Sequence, residues 1–177
     1  MTSPCPPLSD TDWPAELDDM RGGFATGLNV YRTMAHRPAL LRAWAPLRQH
    51  VVRENALGME LIEVVILRAA LRLGSDYEWS QHVDRARKVG FTDTRIEAIR
   101  QDRCEGDDLL LAGAVDALLD HKRLAPAQEA ELAGRFGRDA VFDLIATVGF
   151  YTTLGYLLMT YDTPLDDGIP FHPVAPD

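Results

Sequence analysis

The sequence predicts an almost entirely α-helical single domain. Apolar residues recur three and four apart through most of the chain, the spacing of a helix face. Glycines and prolines stand at the ends of those stripes, where helices stop and start. No stretch alternates apolar and polar residues over a length useful for a strand. The 177 residues are enough for one domain with a full hydrophobic core.

Residues 1–20, rich in Pro, Asp and Ser, read as an irregular arm with a turn near Trp13-Pro14. Trp13 would anchor the arm on the body or on a neighbouring subunit. The helical domain then occupies residues 21–163. Leu28, Tyr31 and Ala35 mark a weak helix over 24–36. Pro38 interrupts it and opens the next helix, which runs to about Glu54 through Leu41, Trp44, Leu47 and Val51. Pro46 inside that helix predicts a kink or break. The central apolar helix covers 59–73 and ends at Gly74. The next covers 76–89, with Trp79, Val83 and Ala86 on its core face, and ends at Gly90. Thr92 caps a short helix through Ile96 and Ile99, and the polar segment from Gln101 to Gly106 is a loop. A helix over 107–122 places Leu110, Ala114, Ala117 and Leu118 on one face, and Pro126 starts another that ends near Gly134 or Gly137. About seven or eight helices result.

The last run, Ala140 to Tyr161, is apolar with only Asp143 charged. Its length would span a membrane. Its threonines and tyrosines and the helical body before it favour a helix buried on all sides, in a core plus a subunit interface. From Pro164 the tail holds four prolines and cannot be helical; it is either disordered or folded over the site.

Composition narrows the function. The chain is 46% hydrophobic and 25% charged, ordinary for a soluble globular protein. With 27 acidic and 18 basic residues it carries a net charge of −9, which argues against a nucleic-acid partner. Cys5 and Cys104 lack CxxC partners and read as free thiols of a reducing cytoplasm, too few for a structural metal site. No basic-then-apolar leader opens the chain, so a cytoplasmic protein is expected. No Gly-rich phosphate loop, nucleophile elbow or cofactor fingerprint is present, and no cofactor is expected.

The chemistry concentrates between Glu63 and His82. Glu63 shares an apolar stripe with Met59, Ile66, Leu67 and Ala70, while Arg68 and Arg72 lie on the other side of the helix. Burial there would raise its pKa toward the range of a general acid or base; alternatively it reaches water, or a partner from another helix, at the edge of the stripe. Ser75 and Glu78 match a capping box, which would account for both residues structurally. As an acid at a helix N-terminus, Glu78 is expected to be the lower-pKa carboxylate of the two. His82 lies one turn after Glu78, a spacing at which the acid would orient the imidazole and raise its pKa. A lone histidine beside Trp79 and Val83 is more often a core residue than a catalytic one. Oxygen and nitrogen ligands for a metal are present, but neither HExxH nor a repeated ExxH is, and no metal is expected. Arg32 and His36 share a face of the first helix and are expected, with Tyr77 and Trp79, to contact a substrate. His50 and His121 read as solvent positions, and His172 reaches the site only if the tail folds back.

The run EVVILRAALRLGSDYEWSQH resembles the carboxymuconolactone decarboxylase family, within the superfamily shared with alkyl hydroperoxidase D-like proteins. An acid opens an aliphatic helix; the residue after Gly follows at twelve positions, the next site residue three later, and the histidine four after that. HKRLAPAQEAEL and DLIATVGFYTTLGYLL look like the family's later helices, so the resemblance covers roughly residues 25–165. It implies an all-helical fold that assembles into trimers or hexamers. It also implies Glu63, Glu78 and His82 as site residues of an enzyme that acts on a lactone acid without metal or organic cofactor. Peroxidase-type relatives hold a CxxC pair where this chain has Ser75 and Glu78, a departure that argues against thiol peroxidase chemistry. The expected function is therefore acid/base proton transfer on a small carboxylated, lactone or enol-type substrate: decarboxylation, or a related isomerisation, dehydration or cyclisation. The alternative is a non-catalytic oligomeric scaffold or ligand-binding protein, in which Ser75–Glu78 is only a cap.

Overall fold

A computed structural model describes residues 3–174, so the ends of the expected arm and tail, residues 1–2 and 175–177, lie outside the described residues. The architecture is all-α, with nine α-helices and no strand among the described residues. A 3-10 turn at Ala15–Met20 gives the arm more order than expected, and Trp13 is buried with its indole N–H on Leu17 O at 3.0 Å. The expected first helix is two, α1 (Phe24–Gly27) and α2 (Asn29–Met34), separated by extended backbone at Leu28. The orphan N–H of Asn29 is capped by the carboxylate of Asp166, 2.6 Å away and 137 residues later in the chain.

Helix α3 (Pro38–Gln49) starts at Pro38 as expected and runs through Pro46. A π-helical turn, His50–Glu54, follows it and takes up the irregularity. The buried stripe of α3 and the π turn is Leu41, Arg48 and Val51 with Trp44 half-buried; Leu47, expected inward, is 42% exposed. Asp143 pins the end of the π turn, its buried carboxylate taking His50 Nε2 at 2.6 Å and the Ala56 N–H at 2.6 Å. His50 is thus a half-exposed hydrogen-bond partner of Asp143 rather than a free solvent position.

The central helix α4 (Gly58–Leu73) packs against α5 (Asp76–Lys88), α7 (Gly106–His121) and α9 (Arg138–Thr160). Its aliphatic run from Ile62 to Ala70 is buried on all sides. Arg68 and Arg72, on the face away from Glu63, tie α4 to Asp116 and Asp120 of α7. The short α6 (Asp93–Arg100) is capped by Thr92 as expected, and α8 (Pro126–Phe136) starts at Pro126. In α7 the buried residues are Leu111, Ala112, Ala114 and Val115, a third of a turn from the expected face.

Helix α9 is long and apolar enough to cross a membrane, but 56% of its apolar window is buried inside the fold. It is not buried on all sides. Phe142, Ile145, Tyr156 and Met159 form an exposed stripe at helical spacing. The tail folds back as a strap along the outer side of α5. Ser80 Oγ donates to His172 O at 3.0 Å and accepts from His172 N–H at 2.9 Å, and Asp76 accepts from Val174 N–H at 2.7 Å.

Candidate active site

The turn between α4 and α5 explains how two helices come to share one site. Gly74 adopts the left-handed conformation, φ 71° and ψ 28°, which suits a residue without Cβ. Its N–H bonds Leu71 O at 3.2 Å and the N–H of Ser75 bonds Ala70 O at 3.0 Å, closing a Schellman turn. Ser75 then caps α5 by accepting the Glu78 N–H at 3.4 Å. One residue ends one helix and begins the next. Only the serine half of the capping box forms. The Ser75 N–H is committed to Ala70, and the Glu78 side chain turns inward instead.

That inward turn brings together Glu63, Glu78 and His82, all at most 4% exposed. The pairing differs from the one expected at helical spacing. His82 Nδ1 bonds Glu63 Oε2 at 2.6 Å, across the helix–helix contact, and Glu78 Oε2 stands 3.6 Å from Nε2. Glu63, not Glu78, orients the imidazole. The carboxylate accepts, so Nδ1 carries the proton and the Nε2 lone pair faces Glu78. Tyr151 of α9 sets its ring edge-on to the imidazole at 5.0 Å, fixing the plane from the third side.

The electrostatics also overturn the expectation for Glu78. Burial pushes the Glu78 carboxyl up to about 8, with Arg85 opposing and the charges of Asp166 and Glu63 adding to the rise. The helix dipole, expected to hold this acid low, is outweighed by loss of water. Glu78 Oε1 has no partner among the described residues, as suits a protonated rather than an ionised acid. Burial pushes His82 below its usual value despite the Glu63 carboxylate, so the imidazole rests neutral. The line therefore runs from Glu63 as hydrogen-bond acceptor, through a neutral imidazole, to the carboxylic acid of Glu78.

His82 separates two cavities. One, of about 300 Å³, is lined by Glu63, His82 and Tyr151, by the apolar side chains of Val52, Ile62 and Ile66, and by the basic Arg48, Arg53, Arg85 and Lys88. The other, about 10 Å³ and the size of one water, lies between Tyr31, Tyr77, Glu78, Gln81 and His82. Glu78 opens only on the second.

Of the expected substrate contacts, none lines the larger cavity. Arg32 donates to Thr26 O, Leu8 O and the Asp10 carboxylate, and His36 Nε2 bonds Pro6 O at 2.8 Å, so both hold the arm. Trp79 is fully buried under the Arg100 guanidinium, 4.7 Å from its ring. Tyr77 lines the small chamber, donating to Asp166 at 2.8 Å.

Four residues not singled out in the sequence take their place. Arg85 lines both cavities; burial opposes its charge, but the neighbouring Tyr151, Glu63, Glu78 and Tyr31 hold its pKa above the usual value. Burial pushes the Tyr31 hydroxyl up to about 12 and Tyr151 well above its usual value. Arg48 is buried over Phe24, 4.2 Å from the ring, with Nε unpartnered. It forms no ion pair among the described residues. The stripe Leu41–Trp44–Arg48–Val51 was the available signal: a cation at a core position of an amphipathic helix.

The family model that matches this chain is that of the carboxymuconolactone decarboxylase family, over residues 38–118. Two solved structures of the debrominase Bmp8 are similar. A cysteine-to-alanine variant in complex with 2,3,4-tribromopyrrole shares 18% identity over 94% of each chain, with a TM-score of 0.73. The apo protein shares 17% over 91% of each, with a TM-score of 0.67. The Agrobacterium tumefaciens protein ATU0492, of unknown function and provisionally assigned to AhpD antioxidant defence, shares 19% identity. That match covers 73% of this chain and 92% of that one, with a TM-score of 0.64. No curated protein matches. These likenesses establish a common all-α, alkyl hydroperoxidase D-like fold.

Proposed function

Because residues 38–118 of this chain belong to the carboxymuconolactone decarboxylase family, we propose that the protein is an enzyme of proton transfer at carbon, working without a cofactor on a small carboxylated, lactone or enol-type substrate. One observation carries the reading: a buried carboxylate–imidazole–carboxylic acid line with only its Glu63–His82 end open to a cavity of about 300 Å³. Two acids kept in different protonation states can divide the roles of base and acid. Glu63, at the cavity end, takes a proton from substrate carbon at its carboxylate. Where the reaction needs a proton delivered, as in decarboxylation, the Glu78 proton passes to Nε2 while Nδ1–H passes to Glu63 and on to the carbanion. Decarboxylation, isomerisation, dehydration and ring closure all draw on this set, with decarboxylation the family precedent. Turnover on a panel of lactone acids and enolisable acids tests the assignment, with His82→Ala and Glu63→Gln as controls.

Arg48 supports the carboxylated substrate. A buried guanidinium held by aromatic faces, with no ion-pair partner among the described residues, offers its N–H edge to an anion in the cavity. Arg48→Gln should raise KM by about 10–100-fold, the worth of one charge-assisted hydrogen bond, with kcat nearly kept. Unchanged KM in steady-state kinetics would remove Arg48 from the binding site.

Neither Ser75 nor Glu78 supplies a thiol, and burial holds Cys104 above the usual thiol range, so it is a poor source of thiolate. In this reading peroxide reduction with a dithiol donor gives no turnover. We also assign the exposed stripe of α9 to a homo-oligomer interface, since an apolar strip of that length is a poor solvent face. Light scattering on the purified protein should return a mass two or more times that of the chain. Phe142→Glu should lower it, and a monomer at all concentrations would overturn the assignment.

A further inference from the structure

Tyr77 and Gln81 line the wall of the small chamber on the Glu78 side of His82. Neither is held by its own helix. The Tyr77 hydroxyl accepts the Val30 N–H at 3.3 Å and donates to Asp166 Oδ2 at 2.8 Å, and Gln81 Nε2 donates to the same oxygen. The other oxygen of Asp166 takes the Asn29 N–H at 2.6 Å, and the Asn29 amide in turn bonds Pro164 O and Leu165 O. Asp166 thus has three donors, all neutral, and no cationic partner among the described residues. Further along, the strap is fixed independently, through Ser80 to His172 and through Arg100 to Pro173 and Val174.

We propose that Asp166 is a positioning residue of the active site: by gripping Tyr77 and Gln81 from the tail, its carboxylate keeps the chamber around Glu78 closed to solvent. The inference rests on the acid/base reading for its functional meaning, though not for its geometry. Glu78 is faced by Glu63 from α4, by Tyr31 from α2, by Tyr151 from α9, by Tyr77, His82 and Arg85 of its own helix, and by Asp166 from the strap. Of the acids in that set, Asp166 belongs to neither helix of the pair. Its charge and its closure of the wall act in one direction, toward a protonated Glu78.

The full-length protein labelled with 13C-glutamate tests this by NMR titration, the Glu78 carboxyl being assigned by its absence in Glu78→Gln. In Asp166→Asn the midpoint of Glu78 should fall by about one pH unit or more, and exchange of the Gln81 side-chain amide with solvent should quicken at least about tenfold. Asp166→Glu, which keeps the charge, should retain most of the wild-type midpoint. Ser80→Ala, which loosens the strap elsewhere, should leave both readouts in place. An unmoved Glu78 midpoint, unchanged Gln81 exchange, or an equal effect from Ser80→Ala overturns the proposal. None of these readouts needs turnover. Failure of the catalytic reading appears separately, as full activity in His82→Ala.

Discussion

His82→Ala and Glu63→Gln each lower kcat by about 10²–10⁴-fold, the range that positioned proton transfer contributes. His82 lies within 4 Å of both acids, so its loss cuts the line at its centre. Glu63→Gln is the cleaner change. It preserves shape and can still accept from Nδ1–H, but it removes the negative charge that makes the pair a base. KM should change less than kcat, because the cation-lined wall formed by Arg48, Arg53 and Lys88 is untouched. His82→Ala also leaves Glu63 without its hydrogen bond in a buried place, a penalty of about 1–3 kcal/mol or more. Thermal unfolding belongs beside the kinetics for that reason. Full activity in both variants on a substrate that the wild type turns over would sink the assignment.

Glu78→Gln makes the protein more stable in alkali while removing its acid. In the fold the Glu78 carboxyl titrates near 8, against an ordinary value of 4.5. Between these values the folded state holds a proton that the unfolded state has released, so stability falls as pH rises. The contribution is fully present below about 4.5 and lost by the time pH passes through about 8. Its size is of the order of several kcal/mol. Glutamine carries no such proton, so the variant should lack this slope and melt higher than wild type at pH 9. In wild type, kcat should decline as pH passes through about 8, where the internal acid ionises. Denaturant unfolding from pH 5 to 9 checks the first expectation and a pH–rate profile the second. Identical stability slopes in the two proteins would show that Glu78 is not buried as a neutral acid.

Much of the fold was legible because its punctuation is local. Pro38, Gly74, Gly90, Thr92 and Pro126 act through their own backbone or the residues next to them, and each marks a boundary within a residue or two. The break at Leu28 was not legible, because its cap comes from Asp166 at the far end of the chain. The inward face of α3 was misjudged by one residue: Leu47 looks like a core residue and Arg48 does not, yet the cavity and an aromatic shelf reverse them. Glu63, Glu78 and His82 were readable from spacing along two adjoining helices. Which acid holds the imidazole was not. Helical spacing nominates Glu78, whereas the crossing of α4 and α5 brings Glu63 a full ångström closer. The same limit hid Arg48, Arg85, Tyr31 and Tyr151, which meet the site only through packing. It also led to the choice of Arg32 and His36, whose partners lie in the arm.

The joint at Gly74 and Ser75 has no spare residue. With one residue closing α4 and opening α5, there is no slack to absorb an insertion or deletion, and a single added position would rotate His82 by about 100° about its axis relative to Glu63. The separation between the first acid and the imidazole is therefore a length standard written into the backbone. The Glu78 side chain makes none of the bonds that close this joint, so the chemistry at that position can change without disturbing it. A scaffold of this kind can change its chemistry by substitution alone, and the stretch least tolerant of altered length is the one most open to altered function.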